Sequence, residues 1–356
     1  MGRRDRPAPR PAQARGCVLG FAVGAALAGC GSNPGNSPDA GQGPVPPAVW
    51  QPKPGDAPNW DIQLAAPFDV SAPRTMYDLD LWSLVPSPTT LDYGDGKPVT
   101  VPRGALAGTI AQLHARTPPA IVICYVETGM LDLQRPDAVK FLGYDPDPTQ
   151  IPDNKDVMNT AVKGAPASGS VIGWSLGDVK LRFLDARQAS RAQWAPILFK
   201  RFDLALQIGC DGVDPAHNDS AAYATGFNIT SDDALTWYAE VAQEGHARKL
   251  STGMRNSVTL LESIDPGANQ FDWLILERCG ELEAGGTQGC DTARPFLNAQ
   301  KDVFAIDYNV AQDGTAQTAT TVCAPQLKET IVDGLYKDAP PTGKTMIRQQ
   351  CGTLPP

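Results

Sequence analysis

Acidic side chains close a series of short apolar runs in this chain. Asp78 and Asp80 lie in Tyr77–Leu81, and Glu127 ends Ile121–Glu127. Asp185 ends Arg182–Asp185, Asp214 ends Cys210–Asp214, which also carries Asp211, and Glu277 ends Trp273–Glu277. Asp307 sits next to Tyr308 at the end of Val303–Tyr308, Leu250–Asn256 ends on the amide Asn256, and Asp219 follows Asp214 by five residues. Two carboxylates facing one another are the minimum for cutting a glycosidic bond: one protonates the leaving oxygen, the other attacks or activates water. Apolar runs finished by polar residues and separated by helix-like stretches read as βα units of a parallel sheet. In a closed βα barrel the strand C-termini share one face, so these acids would converge on one mouth.

The elements that would position them can be counted. Trp60–Leu64, Met76–Ser83, Ala120–Glu127, Leu181–Asp185, Gly209–Asp214, Leu250–Met254, Trp273–Glu277 and Val303–Tyr308 are eight candidate strands, and Met346–Gln349 offers a ninth or a terminal hairpin partner. Between them, Leu106, Ile110 and Leu113 share one helix face, as do Trp194, Ile197, Leu198, Phe202 and Ala205. Leu235, Tyr238, Ala239 and Ala242 mark a third helix, opened by a capping box of Thr230 and Asp233. Residues 143–170, rich in Pro, Asp, Gly and Asn, are expected as a long loop at the mouth. Eight βα units in about 250 residues predict a single-domain (β/α)8 TIM-type barrel over residues 55–356.

In order along the chain stand Trp60-x-x-Gln63-Leu64, Tyr77-Asp78-Leu79-Asp80, Cys124-Tyr125 through Gly129, Arg135-Pro136-Asp137, Leu184-Asp185-Ala186-Arg187, Gly209 through Pro215, Gly226-Phe227, Glu277-x-Cys279 and Asp307-Tyr308. This ordered set resembles glycoside hydrolase family 114, the endo-α-1,4-polygalactosaminidases, over about residues 57–310. The resemblance implies a (β/α)8 barrel that cuts α-1,4-linked galactosamine polymers, with no cofactor and no metal. It also implies a catalytic pair made of an Asp on the fifth strand or its loop and the Glu before a Cys on the seventh. The match is direct at Glu277. Around the fifth strand the family reads Gly-Val-Glu-Pro-Asp-Asn-x-Asp, whereas this chain has Asp214 for the Glu, Ala216 for the first Asp and His217 for the Asn, with Asp219 kept. Leu276 also stands where the family has Asn.

The expected roles are Glu277 as general acid/base and Asp214 or Asp219 as nucleophile or electrostatic stabiliser. Asp78, Asp80, Tyr125, Asp185, Asp211, Asn256, Asp307 and Tyr308 are the candidate substrate contacts. A strand-end Asp equally often caps the next helix or pairs with an Arg. Asp78, Asp185 and Asp211 therefore keep that second reading, with Arg187 and Arg255 as partners. His114 and His246 read as structural and His217 as an incidental loop residue. Ala216 and Leu276 also leave open a silent barrel that binds surface glycan, or a hydrolase of another α-glycoside. No G-x-S-x-G elbow, phosphate loop or dinucleotide fingerprint occurs.

The N-terminus carries Arg3, Arg4, Arg6, Arg10 and Arg15 ahead of an apolar stretch, Val18 to Leu27, too short to span a bilayer. Leu27-Ala28-Gly29-Cys30 resembles a bacterial lipobox, which implies a signal peptide at 1–29, a lipid anchor on Cys30 and residence at the outer membrane or cell surface. Residues 30–54, mostly Gly, Pro, Ser, Asn and Gln, then read as a tether. The whole chain has a formal net charge of −9, and loss of residues 1–29 removes five Arg and one Asp. Such an acidic, monomeric domain does not suit nucleic acid and does suit a cationic amino-sugar polymer. Of the eight cysteines, six remain in an exported, disulfide-permissive domain. Cys279 with Cys290 and Cys323 with Cys351 are the expected bonds. Cys124 and Cys210 read as buried thiols, with a bond between them as the alternative, and fifteen pairings are formally open.

Overall fold

The computed structural model describes residues 49–145, 169–176, 178–264, 266, 271–343 and 347–353. The expected signal peptide, Cys30, most of the tether, residues 146–168 of the long loop and Met346 of the ninth-strand candidate lie outside the described residues.

Nine strands form one sheet whose spatial order is the chain order. They are β1 (Asp61–Gln63), β2 (Met76–Asp80), β3 (Ile121–Glu127), β4 (Gly212–Ala216), β5 (Ser251–Arg255), β6 (Trp273–Glu277), β7 (Val303–Tyr308), β8 (Leu335–Lys337) and β9 (Arg348–Gln350). The first eight pair in parallel, and β9 runs antiparallel to β8. The sheet curls into a barrel-like, mixed α/β single domain. Its ends meet along a seam made by the tail. Lys337 Nζ donates to Asp61 and to the Ile62 carbonyl, both at 2.7 Å, and the Leu64 amide donates to the Pro341 carbonyl at 2.9 Å. A parallel bridge between Ala65 and Thr342 continues the seam.

One expected strand belongs elsewhere. Leu181–Asp185 does not enter the main sheet. Asp178–Leu184 is the centre of a separate antiparallel sheet with Met130–Asp132 and Ile172–Leu176. The physical reason is visible in its side chains: Lys180 and Arg182 alternate with Leu181 and Phe183, the pattern of an antiparallel strand rather than one apolar on both faces. The eighth parallel place goes to β8, from the tail after Ala311, which therefore completes the sheet.

Alternation along the strands divides the core. Ile62, Met76, Ile123, Ile275, Phe304 and Ile306 pack with Trp60 and Trp273 in one cluster. Two residues further on, the same faces of β2, β3, β6 and β7 carry Asp78, Tyr125, Glu277 and Tyr308. The opposite faces, with Cys124, Val213 and Leu276, pack under helices. Among these are α1 (Thr109–His114), α2 (Ala195–Ile208), α3 (Ser231–Ala247), α4 (Cys279–Ala284) and α5 (Ala319–Lys328). The Thr230–Asp233 capping box opens α3 as expected, and Gly209, at φ 95°, ends α2 in the left-handed conformation that glycine accepts.

Three disulfides join the six cysteines of the domain. Cys279–Cys290 and Cys323–Cys351 are the expected pairs. Cys124 and Cys210 are not free thiols but a bond across 86 residues. β3 and β4 are neighbours, so two cysteines that each look like core hydrophobes come together behind the sheet. Replacing both with Ala is expected to lower stability by about 2–4 kcal/mol, read as a loss of denaturation midpoint, because the bond constrains a long loop of the unfolded chain.

Candidate active site

Glu277 ends β6 at the floor of a cleft of about 360 Å³. Its position is fixed from three sides. Tyr308, at the end of neighbouring β7, donates its hydroxyl to Oε1 at 2.7 Å. Asn256, just past β5, donates Nδ2 to Oε2 at 3.2 Å and accepts the Glu277 amide on Oδ1 at 2.8 Å. Arg255 Nη1 approaches Oε2 to 2.9 Å. Burial pushes the Glu277 carboxyl up. The Arg255 charge and the Tyr308 and Asn256 hydrogen bonds outweigh it and hold the group below the ordinary carboxylate range. Glu277 is thus an ionised carboxylate.

Beneath it lies a buried charge network. The Arg255 guanidinium donates Nε to Asp214 Oδ2 at 2.8 Å, contacts the same oxygen through Nη2 and reaches Asp78 Oδ2 at 3.2 Å. Asp78 and Asp214 are fully buried, and Oδ1 of each lacks a hydrogen-bond partner. Burial and then the Asp214 charge push Asp78 well above the usual range, against the opposing field of Arg255.

The opposite wall comes from the segment after β4, where Asp219, His217 and Tyr223 line the cleft with Tyr125 of β3. Burial raises the Asp219 carboxyl above its ordinary value and the charge of Glu277 adds to that, while the His217 charge and the Tyr223 hydroxyl pull it down. Two acids of one cleft are therefore driven in opposite directions. Non-glycine residues in the left-handed region concentrate here: His217 (φ 61°), Asn256 (φ 55°), Ser257 (φ 64°) and Arg278 (φ 61°). Backbone strain of this kind is typical of functional sites. Pro340 and Pro341 of the tail complete the rim.

The sequence candidates separate clearly. Glu277, Asp219, Tyr125 and Asn256 line the cleft, and Tyr308 supports Glu277 from behind. Asp214 does not line it: it is fully buried against Arg255. Asp78 lies in the same layer below. Asp80 caps the helix turn at Leu81–Leu84 through Ser83 and pairs with Arg135 at 3.0 Å. Asp185, at the end of the separate sheet, is tied to Arg187 and Ser190. Asp211 precedes β4, at the end of the sheet away from the cleft, and accepts the Val122 amide at 2.7 Å and His114 at 2.9 Å. Asp307 points to the opposite face of β7 from Tyr308 and accepts the first amides of α4 from Gly280 and Glu281 at 3.0 and 2.9 Å. Burial nevertheless raises it to about 6. Asp80, Asp185, Asp211 and Asp307 thus each take a capping or pairing role and do not line the cleft. Leu276 faces the helices in the core, away from the cleft. His217, read from sequence as incidental, is a cleft residue, and Tyr223, Pro340 and Pro341 had no sequence signal.

The model of glycoside-hydrolase family GH114 matches residues 40–340. No curated protein matches the chain. The crystal structure of Aspergillus fumigatus Ega3 in complex with galactosamine is similar at 24% identity, covering 87% of this chain and 100% of that one, with a TM-score of 0.59. The glycoside hydrolase domain of PelA from Pseudomonas aeruginosa is 14% identical over 80% of this chain and 95% of that one, with a TM-score of 0.45. The family match spans β1 to β8, and the chain belongs to glycoside-hydrolase family GH114.

Proposed function

We propose that this glycoside hydrolase cuts α-1,4-linked galactosamine-type polysaccharide within the chain, with Glu277 and Asp219 as its carboxylate pair. The observation that carries the assignment is their opposed electrostatics in one cleft: acid and base roles fall to titratable groups whose surroundings push them apart. This reverses the roles expected from sequence. Glu277, held ionised by Arg255, Tyr308 and Asn256, is the nucleophile or the base that activates water. Asp219, whose carboxyl burial raises above its ordinary value, gives its proton to the leaving oxygen. Asp214 is a counter-ion and takes no direct part.

The substrate class rests on the family, on the galactosamine bound by Ega3 and on the acidity of the chain, which favours a polymer of ammonium-bearing sugars. A (β/α)8 barrel is supported by eight consecutive parallel strands. Export, with a lipid on Cys30 holding the domain at the outer membrane or cell surface, is supported by the lipobox-like sequence and by three disulfides.

Incubation with purified α-1,4-galactosamine polymer is expected to shorten the chains before monomer accumulates. Retained binding without shortening would leave the silent glycan-binding barrel as the better account.

A further inference from the structure

Directly after Glu277, where β6 gives way to α4, the chain carries a cation that does not line the cleft. Strand alternation would send the Arg278 side chain to the face opposite Glu277, under the helices. Instead its backbone leaves the strand at a left-handed φ of 61°, while its amide still donates to the Ile306 carbonyl of β7 at 2.7 Å. The side chain then lies across β7, with the guanidinium carbon 4.7 Å from the centre of the Tyr308 ring. Nη1 donates to Glu281 Oε2 at 2.6 Å and to the Val310 carbonyl at 2.9 Å. Glu281 is itself fixed: its amide donates to Asp307 Oδ1 at 2.9 Å and its Oε1 accepts the Gln312 amide at 2.8 Å. The guanidinium is thus pinned on one face of a buried tyrosine whose hydroxyl donates to Glu277 Oε1 at 2.7 Å.

We infer that Arg278 is a positioning residue for cleavage: its guanidinium holds the Tyr308 ring and strengthens the hydrogen bond through which that tyrosine fixes the Glu277 carboxylate. This rests on the reading of Glu277 as nucleophile or base. A cation over the face of an aromatic ring is attracted by the ring quadrupole, and more strongly away from water. It sets the tilt of the ring and draws electron density from the phenol, which makes the hydroxyl a better donor to an anion. Burial and the Glu277 charge push the Tyr308 hydroxyl well above its ordinary value, and Arg255 and Arg278 act against them. A hydrogen bond to the charged form of an acid favours that form, so Arg278 supports the ionised Glu277 through the tyrosine. The other charged and titratable groups around Glu277 are Arg255 from β5, Tyr125 from β3, Asp219 from the segment after β4 and Asp78 from β2.

The test compares the wild type, Arg278→Gln and Arg278→Lys on α-1,4-galactosamine polymer. Gln keeps an amide donor for the Val310 carbonyl and loses the charge, whereas Lys keeps a cation that can lie over the ring. In Arg278→Gln, kcat is expected to fall on the order of 10-fold with KM unchanged. The acid limb of kcat/KM, which reports the ionised group of the free enzyme, is expected to move up by about half a pH unit. Arg278→Lys should recover most of both. Equal losses in the two variants, with acid limbs superimposable on the wild type, would overturn the inference and leave Arg278 as an anchor for the start of α4. A second measurement needs no turnover. With glutamate carboxyl carbons labelled, NMR follows the eight Glu side chains, and the Glu277 signal is the one that Glu277→Gln removes. Its midpoint is expected to rise in Tyr308→Phe and, by less, in Arg278→Gln. A midpoint that stays in place in Arg278→Gln overturns the inference, whether or not the protein cleaves polymer. A midpoint that rises in both variants of a protein that cleaves nothing upholds the link from Arg278 to Glu277 and overturns the functional reading.

Discussion

Glu277→Gln is expected to end polymer cleavage, with kcat reduced by at least about 10³-fold and the fold intact. The size follows from what is removed. A positioned proton-transfer or nucleophilic group contributes roughly 10²–10⁴-fold, and here the carboxylate charge also adds to the burial that raises Asp219. The fold survives because Gln retains the shape and one carbonyl acceptor. That acceptor serves the Tyr308 hydroxyl, and the Glu277 amide still donates to Asn256. The Gln amide nitrogen then stands in the Oε2 place, so the bonds from Asn256 Nδ2 and Arg255 Nη1 are lost, while Asp214 and Asp78 continue to hold that guanidinium. Reducing ends released from α-1,4-galactosamine polymer, measured beside Tm, decide the matter. Cleavage at the wild-type rate in a well-folded variant would remove Glu277 from the mechanism.

Why Glu277 was legible in the sequence and Asp214 misleading is a matter of strand parity and partners. Trp273–Glu277 is continuously apolar until its last residue, so a charge there must emerge at the strand's C-terminal end. Asp214 has the same local appearance, yet Arg255, one strand over, reaches across and buries it. Nothing in either run announces that pairing. Asp307 and Tyr308 are consecutive and therefore face opposite ways: the tyrosine meets Glu277 while the aspartate caps α4. The run Val303–Tyr308 shows both polar ends without showing which is inward. The same limit explains the misplaced eighth strand. Leu335–Lys337 is three residues long and holds a buried lysine, too little to compete by pattern with Leu181–Asp185. Only closure of the sheet against Asp61 gives Lys337 its partner. His217 was undervalued for a related reason, since its neighbours in the cleft come from β3, β5 and β6.

Arg255 is where stability and activity meet, and its removal is expected to cost both. In Arg255→Met, Asp214 and Glu277 lose the cation that lies 2.8–2.9 Å from their oxygens, inside a barrel-like interior. Breaking a buried ion pair from one side costs about 3–5 kcal/mol, because the stranded carboxylates keep their desolvation cost without a partner. The pH dependence should weaken with it. In the wild type the Glu277 carboxyl is held below the ordinary value. Its contribution is therefore present above the unfolded value of about 4.3 and fades as pH falls through the lower folded one. In the variant only the Tyr308 and Asn256 hydrogen bonds still oppose burial, so the folded value rises from its depressed position. The stability that Glu277 contributes above the unfolded value then shrinks. Chemical denaturation of both proteins across pH 3 to 8 reads this directly: the gap between them should widen with pH. Arg255→Lys, which keeps a charge but not the planar fork that serves three carboxylates, should fall between the two. A Met variant as stable as the wild type at neutral pH would mean that the Asp78–Asp214–Glu277 cluster sheds its charge without the guanidinium, and the account of Glu277 as a resident carboxylate would go with it.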